Sequence, residues 1–106
     1  MIKMVDLVVR KEGTSHEEFV DRWLGEHSDL AKELPGLKKY ATTVAADPER
    51  AGYDGIVELY FEDSAALKDA LKSEVGQEVM ADAAEFIDMD EGPTVVGEEI
   101  VQLDDS

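Results

Sequence analysis

His27 is the residue best suited to chemistry. It follows Trp23 by four positions, one turn along a helix whose periodic positions are otherwise apolar, so both side chains turn toward the interior. An imidazole there can exchange a proton near neutral pH or hydrogen-bond a ligand carbonyl, and an indole beside it can wall off solvent. Tyr40 offers a phenolic hydroxyl to a ligand oxygen. Asp6 and Glu58 stand inside apolar strands, where a carboxylate needs water, a partner or a proton. Raised carboxyl pKa values at those two positions would mark a second site; hydrogen bonding across an interface is the preferred reading. His16, beside Glu17 and Glu18 in a first helical turn, reads as a surface residue. No metal site is expected, because cysteine is absent and two histidines eleven residues apart suit neither a facial triad nor a helical zinc site. No glycine-rich phosphate loop or EF-hand spacing is present.

These side chains need elements to hold them. Ile2–Val9 is rich in branched apolar residues and predicts a strand. Ser15 with Glu18 fits a capping box that opens a helix running to Leu34, which Pro35-Gly36 ends. Gly25 inside that helix costs about 1 kcal/mol relative to alanine, which predicts a bend or close packing. Leu37–Ala46 predicts a second strand, and Asp47-Pro48 a polar loop. Tyr53–Glu62 predicts a third, with Gly55, Val57, Leu59 and Phe61 on one face. Asp63 caps a second helix in two pieces, broken near Gly76, with Val75, Val79, Met80, Ala83, Phe86 and Ile87 inward. Thr94–Leu103 predicts a final strand. The order β-α-β-β-α-β is that of a ferredoxin-like α+β fold: a four-stranded antiparallel sheet with helices on one face, in a single domain over residues 1–106.

Strand parity assigns the uniformly apolar sets, Val5, Leu7, Val9 and Val57, Leu59, Phe61, to the helices. Asp6, Glu58 and Tyr60 then face away, and His27 shares no pocket with either carboxylate. Met4, Val8, Ile56, Tyr60 and Ile100 would line an open apolar face, which predicts a homodimer.

The charge balance is lopsided: 26 acidic against 10 basic residues, a net charge of −16. Such a surface repels nucleic acid and anionic lipid, so neither is an expected partner. The carboxylates are dispersed along the chain, as in proteins adapted to a very salty cytoplasm. A cytoplasmic location is expected, since no cationic segment followed by an apolar one opens the sequence, no apolar run is long enough to span a bilayer, and no cysteine calls for an oxidising compartment.

Leu34-Pro35-Gly36-Leu37 followed by Tyr40, the Trp23-to-His27 spacing, Asp54-Gly55-Ile56-Val57-Glu58-Leu59 and Phe86-Ile87-Asp88 together resemble the EthD family, named for bacterial degradation of ethyl tert-butyl ether, within the dimeric α+β barrel superfamily. The family commonly carries a proline shortly after the histidine, where this chain has Ser28-Asp29-Leu30. The resemblance implies a homodimer with two sheets packed face to face, and members are often labelled reductases or oxidoreductases. Relatives include cofactor-free monooxygenases, polyketide cyclases, muconolactone isomerases and some haem-binding enzymes. The expected function is therefore that of a cofactor-free oxidoreductase or isomerase acting on a small apolar or carbonyl-bearing metabolite between the first helix and the sheet. His27 would be catalytic, and Trp23, Tyr40, Asp6 and Glu58 would bind ligand. The alternatives are a non-catalytic binding or accessory protein using the same pocket, and a haem-binding barrel with His27 as axial ligand.

Overall fold

A computed structural model describes residues 1–106. Four strands, β1 (Ile2–Val8), β2 (Lys39–Val44), β3 (Gly55–Phe61) and β4 (Thr94–Glu98), form one sheet in the order β2-β3-β1-β4. Every neighbouring pair is antiparallel, which is the ferredoxin-like arrangement. The helices α1 (His16–Arg22), α2 (Ser28–Ala31), α4 (Ser64–Lys72) and α5 (Glu74–Phe86) accompany the sheet, and a short α3 (Pro48–Ala51) lies between β2 and β3.

Local signals open the helices where polar caps stand. Ser15 Oγ accepts from the Glu18 amide, Asp63 from Ala66 and Ser73 from Gly76, each satisfying a donor the helix cannot. Asp47 caps α3, so the expected loop there contains a helical turn. The break in the second helical stretch falls at Ser73 rather than near Gly76, which lies within α5 against the last carbonyls of α4.

The core lies between helices and sheet. Phe19, Trp23 and Phe61 are its fully buried large side chains, joined by Val8, Leu34, Val57, Leu59, Leu67 and Phe86. Val57, Leu59 and Phe61 face the helices as their parity predicts. In β1 the assignment is reversed. Met4 pairs with Leu59, Asp6 with Val57 and Ile2 with Phe61, so the helix-facing set is Ile2, Met4, Asp6 and Val8. Val5 and Leu7 share the open face with Glu58 and Ile56. Met4 and Val8 therefore leave the predicted open face. β1 is apolar on both sides, so its own pattern does not say which side is buried; the pairing with β3 does. β4 is shorter than expected, with Ile2 opposite Glu98 as its last rung, and Ile100, Val101 and Leu103 are exposed beyond it.

The first helix bends at Gly25, as its sequence predicts. Gly25 departs from helical angles (φ −95°, ψ −108°) inside a π-helical turn, Trp23–His27, that separates α1 from α2. Leu24 points outward from this turn.

Candidate functional site

A cavity of about 220 Å³ lies between the bent first helix, α5 and the helix-facing side of the sheet. Trp23, His27 and Ala31 line it from the bent helix, Met4, Asp6 and Val8 from β1, Val57 and Leu59 from β3, and Tyr40 from β2. Val79, Met80 and Ala83 of α5 complete the wall, and Asp88, Met89, Glu91, Gly92 and Thr94 edge it where the chain passes from α5 to β4. Met80 is half exposed there rather than wholly inward.

His27 is buried, with its ring edge-on to Phe86 at 5.1 Å between centroids. Its Nδ1 lies 2.7 Å from Asp82 Oδ2, and Arg22 Nη2 donates to the other oxygen of the same carboxylate. Burial pushes the Asp82 carboxyl upward, but the hydrogen bonds from Arg22 and His27 outweigh it and hold the carboxyl below its ordinary range. Asp82 is thus ionised at neutral pH and can only accept, which places the proton of a neutral imidazole on Nδ1. Nε2 then carries the lone pair and has no partner within the chain. No local sequence signal marks the dyad, since Asp82 stands 55 residues from His27, on α5.

Tyr40 and Ser28 organise the neighbouring wall. Ser28 Oγ donates to the Trp23 carbonyl at 2.6 Å, a bond within the turn that separates α1 from α2. With that proton committed, the Tyr40 hydroxyl at 3.3 Å is the donor to Ser28 Oγ. Burial pushes the Tyr40 phenol above its ordinary value, so it stays protonated at neutral pH.

Asp6 shares this cavity with His27, contrary to expectation, because the β1 register turns it toward the helices. Its Oδ1 accepts a hydrogen bond from Thr94 Oγ1 of β4. Glu58 stands apart on the open face. Lys3 Nζ donates to it at 2.8 Å and Tyr60 Oη at 3.1 Å, and both donors also reach Glu99, at 3.0 and 2.7 Å. The Lys3 ammonium holds the Glu58 carboxyl below the ordinary carboxylate range, the reverse of the raised value that would mark a second site. Tyr60 is pushed up to about 12, chiefly by Glu99.

His16 is not a free surface residue. Its Nδ1 is 2.8 Å from Asp54 Oδ1 and its side chain is 20% exposed. Asp54 is buried and also accepts from the Arg10 backbone amide and guanidinium, both at 2.7 Å. Burial raises its carboxyl, and these three bonds more than reverse the rise. Asp54 thereby ties the ends of β1 and β3 to the start of α1. No group of three or more histidine and carboxylate side chains is disposed to hold a metal ion, and no helix is long and apolar enough to cross a membrane.

The chain matches no curated protein. Among solved structures, it superposes on an EthD family protein from Bacillus halodurans with a TM-score of 0.81 at 22% identity, covering 94% of this chain and 99% of that one. It superposes on a dimeric ferredoxin-like protein from Thermobifida fusca with a TM-score of 0.74 at 17% identity, over 91% and 88% of the two chains. SnoaB from Streptomyces nogalater, a cofactor-independent oxygenase, gives 0.72 at 11% identity, over 96% and 95%. At such identities these likenesses establish the fold. The sequence profile of the EthD domain matches residues 11–90, a span that holds Trp23, His27, Tyr40 and Asp82 and leaves Asp6 outside. By that match over most of its length, the chain belongs to the EthD family.

Proposed function

We propose that the cavity binds a small carbonyl- or phenol-bearing molecule and that His27 moves a proton on it without a cofactor. One observation carries this reading: Asp82 occupies Nδ1 of His27, so the free lone pair of the ring, on Nε2, belongs to a side chain that lines an apolar cavity. Nε2 would take a proton from the ligand, and the ionised Asp82 would stabilise the imidazolium that forms. Tyr40, protonated and lining the same cavity, would turn its hydroxyl from the long 3.3 Å bond to Ser28 Oγ to the ligand oxygen as negative charge develops there. Returned to a different atom, the proton completes an isomerisation. With molecular oxygen as co-substrate, the deprotonated ligand is the species that gives up electrons, and the cofactor-independent oxygenase among the structural neighbours supports that variant.

The volume narrows the ligand. A 150 Å³ apolar cavity accommodates benzene, and drug-sized ligands need about 300 Å³ or more. About 220 Å³ suits one or two rings rather than a tetrapyrrole, which counts against the haem alternative. Turnover of a lactone and quinone panel tests catalysis. His27→Asn should lose about 10²–10⁴-fold in rate while retaining binding. Binding without turnover in the native protein would favour the accessory-protein alternative, and full activity in His27→Asn would overturn the role of His27. A Soret band in purified protein would restore the haem reading.

The same reading places two copies together through the open sheet face, where Val5, Leu7 and Ile56 surround the Lys3–Glu58–Tyr60–Glu99 network. The dimeric neighbour from Thermobifida fusca supports it. A stable folded monomer by light scattering in molar salt would refute it.

A further inference from the structure

We infer that Asp6 makes the cavity select against anionic ligands, so that its occupant is an uncharged molecule of one or two rings. The inference rests on the cavity being the ligand site, and not on catalysis there.

Three carboxylates line the cavity or its edge, Asp6, Asp88 and Glu91, and neither lysine nor arginine lines it anywhere. His27 is the one lining side chain able to carry positive charge, and its Nδ1 is already committed to Asp82. The nearby cations are engaged elsewhere. Arg22 is bound by Asp82 and Glu85, and Lys3 and Lys39 lie over the Tyr60 ring on the opposite face of the sheet. A ligand carboxylate or phosphate would therefore enter a space whose one available counter-ion is the His27 imidazolium, itself already paired with Asp82.

Asp6 is set on the sheet itself, whereas Asp88 and Glu91 belong to the segment between α5 and β4. It sits between Met4 and Val8 on the helix-facing side of β1, opposite Val57, while Glu91 is exposed at the edge. One of its oxygens accepts from Thr94, and the other has no partner within the chain. An uncharged ligand hydroxyl can donate to that free oxygen, whereas an anion placed beside it meets a like charge. The net charge of −16 on the whole chain acts in the same direction.

Three isosteres test this by titration calorimetry: indan-2-ol, indan-2-ylammonium and indane-2-carboxylate. The carboxylate is expected to bind at least tenfold more weakly than both others. In Asp6→Asn, which keeps an acceptor for Thr94, that gap should narrow at least threefold, and Glu91→Gln should leave it nearly unchanged. Asp6→Ser repeats the test should Asp6→Asn not fold. A carboxylate within tenfold of the alcohol, an unchanged gap in the folded Asp6 variant, or no binding by any of the three overturns the inference. Discrimination without turnover would leave it standing while removing the catalytic reading.

Discussion

Replacing Asp82 with asparagine should move a proton from one side of the His27 ring to the other. Two donors converge on this carboxylate, Arg22 at Oδ1 and His27 Nδ1–H at Oδ2. An amide offers the same two donors one oxygen and one NH₂ group. The guanidinium can only donate, so the amide oxygen turns to Arg22 and the NH₂ group faces His27. Nδ1 must then accept, and the neutral ring carries its proton on Nε2. The nitrogen left without a partner in the chain changes from acceptor to donor, and a general base worth about 10²–10⁴-fold in rate is lost while the cavity walls stay in place. The stability cost is that of one charge-assisted bond, about 1.5–3 kcal/mol when fully buried. Asp82 is 20% exposed, which discounts the figure to about 1–2 kcal/mol. For a domain of this size each kcal/mol lowers the melting temperature by about 4–8 °C. Long-range ¹H–¹⁵N correlation of the imidazoles reads the tautomer directly, and with only two histidines in the chain, His16 serves as the internal reference. A His27 that keeps Nδ1–H in the variant, or a variant with full turnover, would refute the reasoning.

Gly55→Ala should cost about 1–3 kcal/mol by overpacking, because a Cβ there would lie 2.6 Å from the Trp23 ring and 2.5 Å from the Thr43 carbonyl. Trp23 is the only tryptophan, so its emission should shift with the melting temperature, and an unmoved spectrum would count against that packing. Acid should destabilise the fold. Asp54, Asp82 and Glu58 titrate below their ordinary 3.8 and 4.5 when folded, so the unfolded chain binds more protons in that range. Their contribution is complete above about pH 5 and is lost as pH falls through 4 and below, which melting curves across that range would show. Melting temperature should also rise between 0.1 and 1 M salt, as the Debye length falls from about 10 to about 3 Å and screens the net charge of −16; a flat response would remove the salt-adapted reading.

Much of the fold is legible because each element carries its own local signal. Ser15 and Asp63 announce helix starts, Pro35-Gly36 a stop, and the alternation in β3 its buried face. The site is legible only in part. His27, Trp23 and Tyr40 lie on recognisable apolar patterns, and the structure brings all three to one cavity. Asp82 carries no such signal, because its role exists only across 55 residues of chain and nothing in its neighbours on α5 marks it. His16 and Asp54 form a similar long-range pair, which local context disguised as an acidic helix start. The facing of Asp6 is not legible in the sequence, because both sides of β1 are apolar. A strand of that kind takes its parity from its partners, and only the register against Val57 and Leu59 settles it.

The bend at Gly25 makes the aim of His27 a matter of chain length as much as of residue type. Each residue of a helical turn rotates the chain by roughly a quarter of a turn, so one residue added or removed between Trp23 and His27, with the turn otherwise unchanged, would swing the imidazole off the cavity and away from Asp82. Substitutions in the turn can leave that aim intact, whereas an insertion or deletion must be absorbed by rebuilding the turn. The length of this short segment is therefore as much a part of the site as the imidazole and the carboxylate themselves.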